Sequence, residues 1–434
     1  MELSNYLKIY PSPQSPESLL LYSTSRGAAV RVPREVLDDA REGRLTREEE
    51  AALTRLGILV HDTDAEREEL RTLFDQLNSQ CRPFTALVTL NLDCNLACVY
   101  CYEEHFRGKR YMTLDTADHL IAHIRTERLA KGRDVILDFY GGEALLSLPI
   151  LRHIATKIGE DASLYGRNFS FNLVTNGTLL SRELSAELKR MGLQSTRFTL
   201  DGPPDVHNSQ RPFTSGTGSF ERILENMGLI CDTVNVQLGG NYTRENYRRF
   251  PELLDILIEH DLTPERLGMV TFSPVMPNTG EAGLKDFSIG CASPNEPWLI
   301  EASLFLRRET LLRGFNTPRP KISACMVEFD SDVVINWDGS LYKCPAFMGW
   351  DDMRIGTLLD GIHDYSESHN MDVWKTDECL DCSYLPLCFG GCRFLRRLRT
   401  GAIDGVDCRK EYLDAALGDI VHQDLELRSG RKVP

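Results

Sequence analysis

The chain has 434 residues, of which 42% are hydrophobic, so it is long enough to bury the cores of two or three domains. The 64 Asp and Glu residues outnumber the 49 Lys and Arg residues, and the formal net charge of -15 argues against broad nucleic-acid binding, which needs a basic surface. The sequence contains neither a secretory signal nor an apolar run long enough for a membrane helix, so we expect a cytoplasmic protein.

Residues 1–82 contain short strand-like runs followed by helix-like runs. The runs are Tyr6–Tyr10, Leu19–Ser23 and Ala28–Val32 for the strands, and Arg34–Glu42 and Arg47–Leu56 for the helices. This order predicts a small winged-helix-like domain, although a plain structural domain packed on the rest of the protein would have the same order. The charged stretch that follows, residues 62–80, predicts a helical linker.

Residues 83–275 alternate between strand and helix patterns. The predicted strands are Ala86–Leu92, Val135–Tyr140, Phe169–Thr175, Ser195–Leu200, Val234–Leu238 and Met269–Phe272. Repeated strand–helix units predict an α/β fold with a parallel sheet and helices outside it. Six units are too few for a closed eight-stranded barrel, so we expect an open or partial (β/α)6 TIM barrel. In parallel barrels the chemistry lies at the carboxyl ends of the strands.

The chain contains 13 cysteines, an odd number that favours metal or cluster ligation over disulfides in a reducing compartment. Cys94, Cys98 and Cys101 directly follow the first predicted barrel strand with the spacing C-x3-C-x2-C. Three thiolates on one loop can hold three irons of a four-iron cluster and leave the fourth iron open to another ligand. A zinc site is the alternative, but it needs a fourth ligand, for which His105 is the nearby candidate.

Polar or glycine-rich segments follow the next predicted strands. They are Gly141, Gly142 and Glu143 after the second strand, Asn176 after the third, Asp201 and Arg211 after the fourth, and Asn241 after the fifth. Glycines let a backbone approach a ligand closely, and the carboxylate of Glu143 can bind an ammonium group. The Gly-Gly-Glu turn taken alone is equally compatible with an ordinary strand-to-helix turn. Polar groups at so many successive strand ends favour a shared site.

With these motifs, the region from about residue 84 to residue 275 resembles the radical S-adenosylmethionine (SAM) superfamily. The resemblance implies one [4Fe–4S] cluster on the three cysteines and the reductive cleavage of SAM to a 5′-deoxyadenosyl radical. The cofactor-binding residues that it implies are Tyr100, Gly141, Gly142, Glu143, Asn176, Arg211 and Asn241. Tyr100 is expected against the adenine, Gly141–Glu143 at the methionine amino group, and Asn176 and Arg211 at the ribose and carboxylate.

Residues 276–434 lose the strand–helix rhythm and are rich in cysteine. Cys325, Cys344, Cys379, Cys382, Cys388, Cys392 and Cys408 occur there in an order that is similar to the SPASM domain of radical SAM enzymes that modify peptides and proteins. That resemblance implies two auxiliary [4Fe–4S] clusters. Cys325, Cys344 and Cys392 would hold the first, and Cys379, Cys382, Cys388 and Cys408 the second. The eighth ligand is either Cys291 or an open iron site, and a zinc ribbon is the alternative to both clusters.

The segment that begins at Asp201 resembles the DGxxxxHDxxRP stretch of the same enzymes, with Asn208 in place of the family's second acid. By analogy with sulfatase-maturating relatives, Asp201 is a candidate catalytic proton acceptor. It is equally a candidate for a residue that fixes the SAM site without touching substrate.

The layout of the whole chain is similar to geopeptide-type peptide maturases, and residues 1–82 look like a domain that binds the leader of a ribosomally made precursor peptide as an added strand. The sequence therefore predicts a maturase that forms a thioether, ether or C–C crosslink in such a peptide and takes electrons from a flavodoxin or ferredoxin. The alternatives are a formylglycine-forming sulfatase maturase, a peptide epimerase and a non-catalytic iron–sulfur electron carrier.

Overall fold

The computed structural model describes residues 1–12, 15–101, 107–275 and 295–428, so His105 and Cys291 lie outside the described residues. The chain divides into two compact units. The first comprises Met1–Ser79, Pro318–Glu328 and Asn370–Pro434, and the second comprises Gln80–Thr317 and Phe329–His369. The predicted boundary after residue 82 lies near a boundary between the units, whereas the predicted third part, 276–434, is divided between both.

The first unit begins with two small antiparallel sheets and four helices. Its elements are β1 (Glu2–Leu3), β2 (Leu7–Pro11), β3 (Ser18–Ser23), β4 (Ala28–Pro33), α1 (Arg34–Glu42), α2 (Arg47–Arg55), β5 (Leu59–Val60), α3 (Thr63–Arg71) and α4 (Leu73–Ser79). Strands β2, β3 and β4 pair in that order, and β1 pairs with β5. The three predicted strands and two predicted helices are confirmed, and the predicted linker forms α3 and α4. The winged-helix assignment stays a prediction.

Local sequence signals set the helix ends in this region. Thr46 and Glu49 form a reciprocal capping box at the start of α2, and Gly43 ends α1 in the left-handed conformation. Asp62 caps α3 by accepting hydrogen bonds from Asp64 N and Ala65 N. The ends of these helices are therefore specified by residues close to them in the sequence.

The second unit is built around one large sheet. Its elements are β6 (Phe84–Thr89), α5 (Leu114–Glu127), β7 (Val135–Tyr140), α6 (Leu148–Leu164), β8 (Phe169–Val174), α7 (Arg182–Arg190), β9 (Leu193–Thr199), α8 (Pro204–Gln210), α9 (Phe220–Ile230), β10 (Asn235–Tyr242), α10 (Phe250–Glu259), β11 (Leu267–Pro274), α11 (Pro297–Leu312), β12 (Asp332–Ile335), β13 (Ser340–Tyr342), β14 (Arg354–Thr357) and β15 (Gly361–Ile362).

The ten strands follow the order β11-β10-β9-β8-β7-β6-β12-β13-β14-β15. All pairings from β11 to β12 are parallel, and the last three strands are antiparallel. This confirms the predicted α/β class: the six predicted strands, β6 to β11, are parallel, and β12 adds a seventh parallel strand to a large, mostly parallel sheet. The strands β12 to β15, which extend the sheet beyond β6, were not predicted from the sequence. In β6, for example, Phe84, Ala86 and Val88 are completely buried, because alternate side chains face the core between sheet and helices.

The remaining helices, α12 (Asp377–Leu380), α13 (Leu385–Cys388), α14 (Arg393–Thr400) and α15 (Lys410–Arg428), belong to the first unit. Strand β3 lies between two small cores of this unit, since its side chains alternate between the two faces of the sheet. Leu19 and Leu21 pack against α1 and α2. Leu20 and Tyr22 pack against residues of α13 and α15. No helix among the described residues is both long and apolar enough to span a membrane.

Candidate active site

A cavity of about 280 Å³ lies in the second unit, at the carboxyl ends of its parallel strands. Its lining residues are Cys94, Leu96, Cys98, Tyr100, Cys101, Arg107, Tyr140, Gly141, Gly142, Val174, Thr175, Asn176, Thr199, Arg211 and Asn241. The three cysteines of the C-x3-C-x2-C motif thus share one cavity with six of the seven predicted cofactor-binding residues. Glu143 and Asp201 lie behind the lining, and both are buried.

The cysteine loop is hydrogen-bonded along its backbone to the Gly-Gly-Glu turn. Gly142 N donates to Asn91 O at 3.1 Å, and Glu143 N donates to Asp93 O at 2.8 Å. A Cβ on Gly142 would stand 2.4 Å from Asp93 O and 3.2 Å from Cys94 Cβ. Glycine is needed at this position because another stretch of protein backbone occupies the space, whereas the sequence interpretation had invoked the approach of a ligand.

The Glu143 carboxylate is bound by the protein itself. Its Oε1 accepts hydrogen bonds from Leu145 N at 3.0 Å and from Thr175 Oγ1 at 2.8 Å, and its Oε2 accepts one from Asn176 N at 2.7 Å. Burial raises the pKa of Glu143, and these hydrogen bonds oppose that rise. In this arrangement Glu143 joins the turn after β7 to the end of β8. Its predicted contact with an ammonium group stays a prediction.

Asn176 connects the end of β8 to the cysteine loop. Its Nδ2 donates to Asn95 Oδ1 at 2.8 Å and lies 3.6 Å from Cys94 Sγ, while its Oδ1 accepts from Thr178 N at 3.0 Å. The side chain is buried and lines the cavity beside a predicted cluster ligand.

Four residues that lie far apart in the sequence meet at the Tyr100 hydroxyl. This hydroxyl donates to Asp201 Oδ2 and accepts from Arg211 Nη1 at 2.7 Å and from Asn241 Nδ2 at 3.0 Å. Burial raises the pKa of Tyr100 well above its ordinary value, so the hydroxyl keeps its proton. The network fixes the Tyr100 ring, and with it the loop that carries Cys98 and Cys101.

Asp201 is fully buried and bound by protein groups. Its Oδ1 accepts from Asn241 N at 2.7 Å, and its own N–H donates to His207 Nδ1 at 3.1 Å. Burial raises the pKa of Asp201, whereas the positive charge of Arg211 and the hydrogen bond from Tyr100 lower it. These contacts favour the interpretation of Asp201 as a residue that fixes the site over its interpretation as a proton acceptor.

His207 is held neutral beneath the cavity. Because Nδ1 accepts from the Asp201 amide, Nε2 carries the proton and donates to Ser219 Oγ at 2.9 Å, and this hydroxyl donates to Arg211 O at 2.6 Å. Burial, together with the positive charge of Arg211, holds the pKa of His207 well below its ordinary value. The chain of hydrogen bonds positions the Arg211 backbone.

Asn208, which replaces the family's second acid, has a clear local role. Its Oδ1 accepts a hydrogen bond from Phe220 N at 3.0 Å, at the first residue of α9. An amide oxygen serves as this acceptor as well as a carboxylate oxygen would, so the substitution leaves the start of the helix satisfied.

The lining chemistry fits SAM and a cluster. Three cysteines line the cavity, which is the number that a cluster with one open iron requires. Arg211 also lines the cavity, and its buried Nε has no hydrogen-bond partner among the described residues. A buried guanidinium N–H without a partner is costly, and a carboxylate is the group that it best accommodates. Cys94, Cys98 and Cys101 would hold the cluster, and Arg211 would bind the carboxylate of SAM.

Several site residues carried no motif in the sequence. Arg107 lines the cavity and donates to Cys94 O at 2.9 Å and also to Leu96 O. Asn91 Nδ2 donates to Glu143 O at 2.9 Å. Their only sequence signal is that they flank the cysteine triplet, which does not distinguish them from other polar loop residues.

Four of the C-terminal cysteines lie near one another in the first unit. Burial raises the pKa of the Cys379 thiol, and the neighbouring Cys382 and Cys408 thiols raise it further. Burial also raises the pKa of Cys388 to about 12, with a contribution from Cys382 and Cys379. These four are the predicted ligands of the second auxiliary cluster.

For the first auxiliary cluster, Cys325 and Cys392 lie in the first unit, where burial and the Cys325 thiol raise the pKa of Cys392. Cys344 follows β13 in the second unit, and Cys291 is outside the described residues. As the side chains are placed, no three His, Cys, Asp or Glu residues of the described ranges form a metal site. The ligand sets therefore stay predictions.

Residues 89–257 match the Radical SAM superfamily. A cysteine-type anaerobic sulfatase-maturating enzyme of Clostridium novyi is 23% identical over 337 residues, which cover 69% of this chain and 85% of the relative. The solved structure of anSMEcpe with bound AdoMet and Kp18Cys peptide has a TM-score of 0.63 and 20% identity, covering 78% of this chain and 98% of that one.

SuiB of Streptococcus suis, solved bound to the precursor peptide SuiA, has a TM-score of 0.54 and 15% identity, covering 94% of this chain and 98% of that one. Both structural similarities support the fold described above. The family match begins at the last residue of β6 and ends within α10, so it includes every residue that lines the cavity. The part of the chain that lines the cavity thus lies within the region that matches the Radical SAM superfamily.

Proposed function

We propose that this protein reductively cleaves SAM and uses the resulting radical to crosslink a ribosomally made precursor peptide. The observation that carries the SAM chemistry is the single cavity that joins the three motif cysteines to the Gly-Gly turn, Asn176 and Arg211. In this proposal Cys94, Cys98 and Cys101 hold a [4Fe–4S] cluster, which supplies the electron for SAM cleavage when it is bound.

The protein's own residues would bind and orient SAM. Arg211 pairs with its carboxylate, Asn176 lies beside the cluster site, and Tyr100 provides an aromatic face for adenine. Asp201 and Asn241 hold Tyr100 in place through the hydrogen bonds described above. In this role Asp201 acts through Tyr100 and does not itself contact the substrate.

A peptide substrate is supported by two features. The C-terminal cysteines are similar to those of the SPASM domain, and the described first unit includes a three-stranded sheet whose outer strands are β2 and β4. The alignment with SuiB covers 94% of the chain, against 78% for anSMEcpe. Both of these structures were solved with peptides, and the SuiB peptide is a precursor. A leader added as a strand to a sheet edge is the mode of binding that we propose.

A crosslink requires that the peptide lose a pair of hydrogen atoms. SAM, when bound, would supply the radical that takes the first as a hydrogen atom and so becomes 5′-deoxyadenosine. The peptide radical then loses one electron and one proton as the new bond closes. The auxiliary clusters that Cys325, Cys344, Cys392 and Cys379, Cys382, Cys388, Cys408 would hold are the proposed electron acceptors, and a flavodoxin or ferredoxin is the proposed donor to the SAM site.

The test is to incubate the anaerobically reconstituted enzyme with SAM, a reductant and the short peptide encoded next to its gene, and then to analyse the peptide by tandem mass spectrometry. We expect a mass lower by a pair of hydrogens and missing fragments between the joined residues. An unchanged mass with 5′-deoxyadenosine formed contradicts crosslinking of that peptide, and solvent deuterium incorporation would then identify epimerisation. No 5′-deoxyadenosine at all contradicts the radical chemistry.

Formylglycine formation is the second candidate, because several relatives are sulfatase-maturating enzymes. The two functions differ in their need for a leader. A leader-dependent maturase should convert the full precursor far faster than the isolated core peptide, with the difference mainly in KM. A sulfatase maturase should instead oxidise a short peptide with a single target Cys or Ser, and it should gain nothing from a leader.

A further inference from the structure

Tyr6, which precedes β2, and Thr24, which follows β3, bond to the segment around Cys379 and Cys382, called here the Cys379–Cys382 turn. The Tyr6 hydroxyl donates to Leu380 O at 2.8 Å in a fully buried contact. The Thr24 hydroxyl donates to Ser383 O at 2.6 Å. Both acceptors are main-chain carbonyls beside a predicted cluster ligand. The two side chains therefore fix the backbone that sets the direction of the Cys379 and Cys382 side chains.

Helix α3 adds a charged contact to the same turn. The Arg67 guanidinium donates to Asp381 Oδ1 at 2.9 Å and also to Asp377 Oδ1. Asp377 lies two residues before Cys379, and Asp381 directly precedes Cys382. Arg67 therefore neutralises two carboxylates beside the ligand pair as well as holding α12 in position.

Helix α4 supports the third cysteine of the set. The ring of Phe74 packs edge-on against Phe389, with centroids 4.8 Å apart, and against Trp374, at 5.6 Å. Phe389 directly follows Cys388 and has a φ of 38°, which a bulky residue rarely adopts. The completely buried aromatic cluster holds this strained residue, and thereby the Cys388 backbone, in place.

We infer that Tyr6, Thr24 and Arg67 are positioning residues for the second auxiliary cysteine set. The N-terminal part of the chain therefore has a second role, in holding a cofactor, beyond the peptide binding proposed above. The inference does not depend on any substrate. It also means that deleting residues 1–82 cannot distinguish a leader-dependent maturase from a sulfatase maturase, because the deletion would remove the support of the Cys379–Cys382 turn.

The charge at Arg67 gives a measurable consequence. An iron–sulfur cluster gains negative charge on reduction, and uncompensated carboxylates nearby disfavour that state. Replacing Arg67 by Met leaves Asp377 and Asp381 unpaired beside the ligands. The midpoint potential of the cluster should therefore become more negative. Thr24→Val and Tyr6→Phe remove no charge, so they should change the spectrum of the cluster more than its potential.

The experiment uses the full-length chain with Cys94, Cys98 and Cys101 all replaced by Ala, so that only the auxiliary sites can hold clusters. Iron and zinc content, the EPR spectrum of the reduced protein and its midpoint potential are measured for Arg67→Met, Arg67→Lys, Thr24→Val and Tyr6→Phe. Leu37→Ala serves as the stability control, since Leu37 is buried in the core between α1 and β3, away from the turn. Arg44→Met serves as the charge control, since Arg44 pairs with Asp39 on the exposed side of α1.

We expect Arg67→Met to have a more negative midpoint potential than the parent protein and Arg67→Lys to have a potential close to that of the parent. Thr24→Val and Tyr6→Phe should have altered EPR lines. The two control variants should show neither change. The Arg67, Thr24 or Tyr6 variants could instead lose iron. If they do so while their melting temperatures are no lower than that of a Leu37→Ala protein that keeps its iron, the result equally supports the inference. Spectra and potentials identical to those of the controls would overturn it. A parent protein that binds no iron would overturn it too, because there would be no cluster to position.

Discussion

The cysteine triplet of the second unit and the Cys379–Cys382 turn of the first unit are held in place in different ways. Cys94, Cys98 and Cys101 follow β6, and the residues that brace their loop come from the next strands of the same sheet. Asn91, for instance, bonds to Glu143, 52 residues away. The Cys379–Cys382 turn is braced by Tyr6 and Thr24, which are 374 and 359 residues distant from their partners. A parallel sheet brings successive loops to one edge by itself, whereas the second group depends on the chain returning to its own beginning.

The largest expected effect concerns the cysteine triplet of the second unit. Replacing Cys98 by Ala should remove the cluster and lower 5′-deoxyadenosine formation by more than about 10³-fold, because two thiolates cannot hold the cluster. Chromatographic assay of 5′-deoxyadenosine and iron analysis measure this. Cys231→Ala is the matched control, since Cys231 is a single half-buried thiol at the end of α9. Equal activity in both variants would contradict the assignment of the three cysteines as cluster ligands.

The backbone contact between the cysteine loop and the glycine turn can be tested with Gly142→Ala. Its Cβ would stand 2.4 Å from Asp93 O, so the loop must move, and we expect SAM cleavage to fall by about 10²-fold. Gly228→Ala is the control, because Gly228 lies inside α9 with nothing within 4 Å of the added Cβ. That change should stabilise the protein by about 0.5–1 kcal/mol, measured by thermal unfolding. Undiminished cleavage in Gly142→Ala would contradict the tight packing.

Asp201→Asn distinguishes the two roles proposed for this residue. If Asp201 only positions Tyr100, the variant should bind SAM roughly 10- to 100-fold more weakly, because a charged acceptor of two buried hydrogen bonds is lost. Isothermal titration with SAM and 5′-deoxyadenosine formation without peptide should then decline together. Normal SAM binding and cleavage, combined with loss of peptide product and of one limb of its pH profile, would instead identify Asp201 as a proton acceptor.

The smallest effect concerns pH. The pKa of His207 is lower in the folded protein than in the unfolded chain, so the unfolded state binds more protons as the pH falls below about 6.5. The stability of the protein should decrease over that range toward lower pH. His207→Gln should flatten this dependence while keeping a hydrogen-bonding side chain, as measured by urea unfolding between pH 5 and pH 8. An unchanged slope would show that His207 titrates normally.

Much of the second unit could be predicted from the sequence because its signals are local. The six predicted parallel strands follow from buried apolar runs separated by amphipathic helices, and a local cap sets the start of α5, where Thr113 accepts from Thr116 N. The strands β12–β15 were missed, since they are two to four residues long and lie among cysteines and loops. Such short strands carry too few residues for a period to be recognised.

The sequence predicted most of the residues that line the cavity, but it did not predict the hydrogen bonds that hold them in place. Motif spacing identified the three cysteines and the Gly-Gly-Glu turn, because the chemistry requires those residue types close together in the chain. The predicted partner of Glu143 was a ligand, whereas the structure shows three protein groups around its carboxylate. Arg107 and Asn91 went unnoticed as parts of the site because a single polar residue in a loop has no pattern, whereas His207 belongs to the motif that begins at Asp201.

The sequence by itself determined the α/β class, the order of strands and helices as far as β11, and the cysteine motifs, since periodicity, capping residues and ligand spacing are properties of neighbouring residues. Only the tertiary structure decided that Tyr100, Asp201, Arg211 and Asn241 meet at one hydroxyl and that Tyr6 and Thr24 reach the Cys379–Cys382 turn. Contacts between residues so far apart depend on how sheets and helices pack. Because many combinations of apolar side chains pack equally well, a single sequence does not reveal which elements will meet.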